Sequence, residues 1–584
     1  MNTLRRATAA RFARKHPRSL DRRFALVLLA AVPFASIVST PRAASAQALD
    51  PDNLLSHVKY LASDELAGRE AGEPGADRAA EYVAQRFESA GLEPLGTGGY
   101  LQPFEITTTI RVAEDSRLIL ETPDGRQVLE LGVDWMPFNF SSAGEVSGRA
   151  FRAGYGLTNE DYAGADSPKI VVLRGGVPDG FDFHGSGIDP SPRRKATMAR
   201  ERGAEAVLIS VSQLELPRPG DPPHALGVPA IQVVDRPEIR AALRGDEPVT
   251  VTLDANVEPL KATPYNVVGM LEGSDPVLSQ EIIVVGAHYD HLGLGGPGSL
   301  APEVEAPHNG ADDNASGTAV LLGLARHFAE TGAPARSLVF VAFSAEEMGL
   351  LGSDFFVSHP PFELDRVTAM INFDMVGRLR DGEMQVFGTE SAEEFEALLD
   401  TLDARDPELK LSYVGDGYGP SDQTSFYARD IPVLHLFTGT HSEYHRPEDD
   451  WQLINAQGMA EVAEFASTLV RDLADRSAEL TLVKRERPQA GGGGGYGPYL
   501  GTVPDFGEVE GGGLRLSGVR SGSPAEQAGL QPGDVVIEFG GREVLNIYDY
   551  TYALRDHAPG DSVTIKVRRD GEVLELTAVL GRRN

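Results

Sequence analysis

The chain has 584 residues, more than one hydrophobic core usually supports, so its length predicts two to four domains. Its formal net charge of −33 argues against nucleic acid as a partner, because phosphate binding needs a basic surface. The absence of cysteine excludes disulfides, and it leaves histidine and carboxylates as the metal ligands available to the chain.

Residues 1–46 differ in composition from the rest of the chain. They hold nine Lys/Arg and one acidic residue, an apolar run from Phe24 to Val38, and the small residues Ala44-Ser45-Ala46 at the end. This order is typical of a cleavable signal peptide. We therefore expect export to the periplasm or the extracellular space. The apolar run is short, and no later segment is apolar enough to span a bilayer, so no transmembrane anchor is predicted.

Residues 47–130 begin with two amphipathic helical patterns, which end near Leu61 and Gly91. From 131 to 255 the pattern changes to short strands with Gly, Pro and Asp turns, and it includes one basic helix around Lys195–Arg202. We interpret residues 131–255 as a domain inserted into a larger one.

Residues 256–480 repeat the order strand, loop, helix. The apolar runs of this segment are Glu281–Gly286, Ser337–Phe343, Ala369–Phe373 and Pro432–Phe437. Continuous apolar strands that alternate with helices predict an α/β fold whose mostly parallel sheet is covered by helices on both faces.

Residues 481–495 contain five consecutive glycines, Gly491–Gly495, which predict a flexible linker. Residues 496–584 then show short strands and one helix, typical of a small α+β domain. We expect this last domain to be separable, so that truncation after Ala490 leaves the rest of the chain folded.

Polar clusters follow, or stand at the ends of, the four apolar strands. They are His288-Tyr289-Asp290, the segment from Gly310 to Gly317 with Asp313, the pair Glu346-Glu347, Asp374 and His445. Because ligand sites of open α/β sheets form at the carboxyl ends of the strands, these groups can converge. Imidazoles and carboxylates suit a pair of zinc ions that share one carboxylate, and a further glutamate can move the proton of an attacking water.

Each of these clusters is common by itself, but their order and placement are specific. Together they resemble the five motifs of the two-zinc exopeptidase family that contains bacterial leucyl aminopeptidase and glutamate carboxypeptidase. The resemblance covers about residues 50–476. It implies that His288, Asp313 and Asp374 bind one zinc, that the bridging Asp313 binds the second with Glu347 and His445, and that Glu346 is the general base.

The same resemblance implies two supporting catalytic residues. Asp290 would accept a hydrogen bond from the second ring nitrogen of His288. Tyr418 matches a tyrosine that hydrogen-bonds the reaction intermediate, although the disulfide that flanks it in some relatives is replaced by Asp416 and Pro420. Three further histidines are near enough in sequence to compete as ligands, namely His291, His308 and His441.

The other two domains also resemble known modules. Residues 131–255 resemble a protease-associated (PA) domain, through Lys169–Leu173 and Val228-Pro229-Ala230-Ile231. Residues 496–584 resemble a PDZ domain, through Tyr499-Leu500-Gly501-Thr502 and the segment from Gly522 to Asp534. A PDZ domain implies a peptide C-terminus as a partner, but Thr502 replaces the usual apolar residue, so an intramolecular brace is the alternative.

The expected function is a zinc-dependent aminopeptidase that removes N-terminal residues from peptides. The alternatives are a carboxypeptidase, dipeptidase or other amidohydrolase with the same two-zinc site, and a binding protein without catalysis. The last alternative predicts lost ligands, and none of the five is missing from the sequence.

Overall fold

The computed structural model describes residues 48–582, except for 165–166, 182–187, 219–223, 297, 406–408, 416, 485–497, 505–508, 510 and 521. The predicted signal peptide and the glycine run Gly491–Gly495 thus lie outside the described residues. Among the helices that are described, none combines the length and apolar character needed to cross a membrane.

The first two helices are the pair that the sequence predicts. The described helices are α1 (Pro51–Leu61), α2 (Pro74–Ala90), α3 (Pro192–Glu201), α4 (Pro237–Arg244), α5 (Gly317–Thr331), α6 (Leu351–Ser358), α7 (Phe395–Asp403), α8 (Gln423–Tyr427), α9 (Ala456–Asp475), α10 (Pro524–Gln527) and α11 (Ile547–Arg555). Helix α1 begins where the Asp50 side chain accepts the amide of Asp52. Helix α2 ends at Gly91, whose φ of 78° is the left-handed conformation that glycine adopts freely.

The strands fall into three segments of the chain. The first segment holds β1 (Glu93–Pro94), β2 (Leu101–Pro103), β3 (Ile106–Val112), β4 (Arg117–Thr122), β5 (Gly125–Leu129), β6 (Trp135–Pro137), β7 (Gly144–Arg152), β8 (Ile170–Arg174), β9 (Ala206–Val211), β10 (Ala230–Val234), β11 (Thr250–Ala255) and β12 (Val257–Ala262). The second holds β13 (Tyr265–Leu271), β14 (Ile282–His288), β15 (Ser337–Phe343), β16 (Val367–Phe373), β17 (Glu383–Phe387), β18 (Lys410–Val414) and β19 (Val433–Phe437). The third holds β20 (Pro498–Tyr499), β21 (Thr502–Pro504), β22 (Leu514–Val519), β23 (Val535–Phe539), β24 (Arg542–Glu543), β25 (Ser562–Arg569), β26 (Glu572–Val579) and β27 (Gly581–Arg582).

The central sheet has the order β1-β13-β15-β14-β16-β19-β17-β18, with β2 paired to β13. Strands β15, β14, β16 and β19 are parallel, whereas β13 and β17 are antiparallel to their neighbours β15 and β19. Along β14, Ile283 and Val285 pack in the apolar cluster that includes α1, α2, α5 and α9. Ile282 and Val284 face the opposite cluster, which includes α6 and α8. This confirms the predicted α/β class, because alternate side chains of a strand point to opposite faces.

The inserted segment forms a second sheet in the order β5-β4-β11-β7-β8-β9-β10-β6. Its first strand along the chain is β4, which pairs with β11 from Arg117 to Glu121, so the sheet includes residues before the predicted start of the insert at 131. Strands β3 and β12 form a separate antiparallel ribbon beside it. The predicted basic helix of this segment is α3, which begins at Pro192.

The C-terminal segment forms a sheet in the order β21-β22-β23-β25-β26, with β24 on β23. Leu516, Val536 and Ile565 lie in its own apolar core, against α11. The domain also contains the short helix α10 in addition to the one helix that the sequence predicts.

Candidate metal centre

The predicted metal ligands converge on one edge of the central sheet. His288 is the last residue of β14, and Asp374 directly follows β16. Glu347 follows β15, and His445 follows β19. Strand β15 runs parallel to β14, and β19 runs parallel to β16. Asp313 comes from the segment Ala311–Ser316, which leads into α5. Because parallel strands end at the same edge, residues far apart in sequence become neighbours.

Three of these side chains form a first group of donor atoms. Nε2 of His288 lies 3.5 Å from Oδ1 of Asp313 and 3.4 Å from Oδ1 of Asp374. The three residues are buried, and they offer donor atoms within 4.8 Å of one another. Within the described residues, Nε2 of His288 and Oδ1 of Asp374 have no hydrogen-bond partner. Converging buried donors without partners fit a metal ion, and these are donor types that Zn²⁺ takes.

A second group shares Asp313 with the first. Nε2 of His445 lies 3.2 Å from Oδ2 of Asp313 and 3.3 Å from Oε2 of Glu347. Asp313 therefore turns one carboxylate oxygen toward each group, which is the arrangement that a bridging ligand needs.

His291 belongs to this second group, although the sequence analysis did not prefer it to His308 or His441 as a ligand. Its Nδ1 lies 2.6 Å from Oε1 of Glu347 and 4.0 Å from Oδ2 of Asp313. Burial lowers the pKa of His291 to about 3, so the ring is neutral and one nitrogen carries no proton. Its position directly after Asp290 is the signal that could have drawn attention to it.

The two other histidines that could compete as ligands have different partners. His308 is buried and uses Nε2 and Nδ1 in contacts with Ser299 Oγ at 2.7 Å and the carbonyl of Ala306 at 2.9 Å. Nε2 of His441 lies 3.3 Å from Oδ2 of Asp312, the residue before the shared carboxylate.

Glu346 lies at the edge of the first group. Its Oε2 is 3.8 Å from Nε2 of His288, and its side chain is almost completely buried. Burial raises the pKa of Glu346 well above its usual value; Glu347 and Asp374 add to this, while His288 opposes it. A carboxyl group with a raised pKa can accept and return a proton near neutral pH.

The centre carries more negative than positive charge. Burial alone would lower the pKa of His288, but the carboxylates of Glu346, Asp374 and Asp313 raise it well above its usual value. Burial also opposes the protonation of His445, yet Asp313 and Glu347 raise its pKa to about 9. These carboxylates therefore favour positive charge between them, in the form of protons or of metal ions.

Asp290 has a different contact from the one that the sequence predicts. Nδ1 of His288 lies 3.3 Å from the main-chain oxygen of Asp290, whereas the Asp290 carboxylate is 3.8 Å away. That carboxylate instead accepts the amides of Glu346 at 3.2 Å and Glu347 at 3.4 Å. The reason is local: the loop after β15 turns its amides toward the end of β14, and charged acceptors favour amide donors.

Two residues that the sequence analysis did not single out support the loops of the centre. The guanidinium of the buried Arg69 donates to the carbonyls of Tyr289 at 2.7 Å and Asn309 at 2.6 Å. Oδ2 of Asp449 accepts the amides of Asp312 at 2.9 Å and Asp313 at 3.1 Å. Asp449 follows His445 closely in sequence, but its partners lie more than a hundred residues earlier, so no local pattern points to this role.

Tyr418 lies in the loop 417–422, between β18 and α8, and its ring packs edge-on against Tyr427 with 4.8 Å between centroids. The same loop ends at Asp422, which is completely buried and was not predicted. Burial raises the pKa of Asp422 to about 7, with His288 opposing and Asp374 adding to the shift. Ser421, the residue before it, accepts from Nδ2 of Asn372 at 2.8 Å, two residues before Asp374, so the loop of Tyr418 ends close to the metal centre.

Two family models match this chain. Residues 266–470 match the model described as Peptidase family M28, and residues 515–569 match a PDZ domain. The first match contains all five predicted ligands and Glu346.

Several known proteins are similar to the chain. It is 25% identical to aminopeptidase YwaD of Bacillus subtilis over 58% of this chain and 69% of that protein. It is 28% identical to a probable leucine aminopeptidase of Trichophyton verrucosum, and the matched region covers 36% of this chain and 56% of that protein. For leucine aminopeptidase 2 of Arthroderma otae the identity is 30%, and the chain spans 38% of that protein. Among solved structures, an aminopeptidase from Aneurinibacillus sp. strain AM-1 matches at 25% identity with a TM-score of 0.49, over 77% of this chain and 100% of its own.

Proposed function

Because the chain carries a peptidase family M28 domain and a PDZ domain, we propose that it is a zinc-dependent aminopeptidase that releases N-terminal residues from peptides. One observation carries the proposal, namely that Asp313 turns Oδ1 toward one His–carboxylate group and Oδ2 toward another. The names of the similar proteins, several of which are called aminopeptidases, support this choice among the reactions open to such a site.

In this proposal the two groups of residues would hold two zinc ions, and Asp313 would contribute to both. His288 and Asp374 complete the first set, and Glu347 and His445 complete the second. When bound, the two ions lower the pKa of a water molecule and polarise the scissile carbonyl. Nδ1 of His291 lies 2.6 Å from Oε1 of Glu347 and donates to this carboxylate, which holds it in place.

The residues of the chain then move the protons. The Glu346 carboxylate takes a proton from the attacking water and delivers it to the nitrogen of the leaving peptide. Only 10% of the Glu346 side chain is exposed, and its Oε2 lies 3.8 Å from Nε2 of His288, at the edge of the first group of ligands. The Asp290 carboxylate holds the amides of both glutamates, so it orients the base and a ligand together. Tyr418 is proposed to hydrogen-bond the developing negative charge on the substrate oxygen.

A substrate panel tests the proposal against the carboxypeptidase, dipeptidase and amidohydrolase alternatives. The enzyme should hydrolyse amino-acid arylamides with a free α-amino group, and a chelator should abolish this activity. N-blocked peptides with a free C-terminus should not be cleaved. The reverse preference would establish a carboxypeptidase, and inactivity on every substrate with zinc bound would favour the binding protein.

The remaining expectations from the sequence are part of the same proposal. The predicted signal peptide at 1–46 would export the enzyme to the periplasm or beyond the cell, where peptides are its substrates. The inserted sheet would be a PA domain. The proposed peptide C-terminus would insert between β21 and α11 of the PDZ domain, but Thr502 Oγ1 and Tyr550 Oη already join these two elements at 2.6 Å. This bond favours the intramolecular alternative.

A further inference from the structure

The C-terminal domain is docked on the inserted domain through buried polar contacts. Arg200 of α3 and Asp549 of α11 form an ion pair at 3.1 Å, and their side chains are only 10% and 3% exposed. Asn546 donates from Nδ2 to the carbonyl of Ala225 at 3.0 Å. The guanidinium of Arg193 lies 4.2 Å from the ring centre of Tyr548. Buried charges that satisfy each other define one relative orientation, because any other would leave them unpaired.

Another part of the same domain, at the end of β22, reaches the loop of Tyr418. The guanidinium carbon of Arg520 lies 4.6 Å from the centre of the Tyr418 ring, within the range of a cation–π interaction. Gly518 lies beside the same ring in β22. A Cβ atom at this position would be 3.1 Å from Tyr418 Oη and 3.2 Å from Ala428 Cβ. Glycine at 518 thus permits the close approach that brings Arg520 to the tyrosine.

The loop that carries Tyr418 is anchored in the metal centre at its other end. Asn372 of β16 donates to Ser421 Oγ at 2.8 Å and to Gln423 Oε1 at 3.2 Å, and Asp422 between them is completely buried. Tyr427 contacts one side of the Tyr418 ring, and Arg520 supplies a contact from another domain. The orientation of the phenol therefore depends on residues from both the M28 domain and the PDZ domain.

From these contacts we propose that Arg520 is a positioning residue for Tyr418, through which the PDZ domain supports catalysis in the M28 domain. The inference rests on the proposed aminopeptidase function. This inference replaces the expectation that the C-terminal domain is separable. The domain docks on the inserted domain, and its cation–π contact with Tyr418 makes it part of the surroundings of the active site. Functional groups need supporting residues that hold them in the productive geometry, and small displacements lower the rate.

The test compares Arg520→Ala with Arg520→Lys and with Arg555→Ala, which removes an exposed arginine of α11. On a small arylamide, Arg520→Ala should lower kcat on the order of tenfold with little change in KM, since losing the contact misplaces a group used in the transition state. Bound zinc and the Tm should stay at the wild-type level. Arg520→Lys keeps the cation and should recover part of kcat, and Arg555→Ala should match the wild type.

A double-mutant cycle shows whether Arg520 acts through the tyrosine. In a Tyr418→Ala background, Arg520→Ala should cause no further fall in kcat. An equal fall in both backgrounds, or a wild-type kcat for Arg520→Ala, overturns the inference. If Arg520→Ala is poorly folded, Gly518→Ala supplies the second variant, and a wild-type kcat for that variant also counts against the inference. A wild-type enzyme without aminopeptidase activity would instead refute the proposed function.

Discussion

The carboxylate of Asp290 accepts the main-chain amide of Glu346, with 3.2 Å between the nitrogen and Oδ1. The other oxygen of the same carboxylate accepts the amide of Glu347 at 3.4 Å. With both amides held, the two side chains diverge: Glu346 faces His288, and Glu347 lies against His445. Two adjacent and chemically equal residues thus acquire different surroundings, which is the basis for giving them different roles.

The first prediction separates these two glutamates. Glu346→Gln keeps the shape of the side chain but cannot accept a proton, so kcat should fall on the order of 10²–10⁴-fold with little change in KM. Glu347→Gln should instead lower zinc affinity, and its activity should partly recover with added Zn²⁺. The measurement is kcat, KM and bound zinc for both variants, with and without extra metal. Zinc loss in Glu346→Gln but not in Glu347→Gln would reverse the assignment.

The second prediction concerns the shared carboxylate. Asp313→Ala removes a ligand from both groups, whereas His288→Ala removes one ligand from the first group only. After dialysis, Asp313→Ala should therefore retain less zinc than His288→Ala. His359→Ala, at an exposed histidine, is the control and should retain the wild-type content. Equal and undiminished zinc in the two site variants would argue against two metals that share Asp313.

The sequence predicts that the metal ligands meet at one edge of the central sheet. It does not predict the contacts that support these ligands and Tyr418. Apolar runs such as Ser337–Phe343 identify buried parallel strands, and polar residues after them must meet at one edge. The contact of His291 with Glu347 depends on which way a ring turns inside a buried loop. The contact of Arg520 with Tyr418 depends on how two domains dock, and no periodicity in the chain encodes docking.

The third prediction tests a support of the shared carboxylate that the sequence did not reveal. Asp449 accepts the amides of Asp312 and Asp313, and Arg378 donates to its other oxygen at 3.1 Å. Asp449→Asn weakens these contacts without removing a ligand. Zinc affinity, measured by competition with a chelator, should fall about 10–100-fold, the usual cost of losing a residue that orients a ligand.

The control for Asp449→Asn is the same change at Asp472, a partly exposed carboxylate paired with Arg405 on the surface. Asp472→Asn should bind zinc as the wild type does, because exposed ion pairs contribute little. Unchanged zinc affinity in Asp449→Asn would mean that the loop of Asp313 is held by other contacts.

The last prediction concerns a histidine away from the metal centre. His57 of α1 is buried, and its Nδ1 lies 2.7 Å from the hydroxyl of Tyr82 in α2. Burial lowers the pKa of His57 to about 4, and the nearby charges of Arg86 and Arg326 add to the shift. The unfolded chain binds a proton at this residue below about pH 6.5, whereas the folded protein stays neutral there until about pH 4.

The stabilising effect of neutral His57 is therefore fully present above about pH 6.5 and is lost as the pH falls toward about 4. His57→Gln keeps an acceptor for Tyr82 but does not titrate, so it should lose less stability on acidification. The free energy of unfolding, measured by denaturant at about pH 7 and about pH 4.5, should fall about 1–3 kcal/mol further for the wild type than for this variant. Both proteins are measured at the same zinc concentration, so that metal loss affects them equally. His359→Gln, at an exposed histidine, is the control and should follow the wild type. Parallel curves for His57→Gln and the wild type would show that His57 takes up protons equally in the folded and unfolded states.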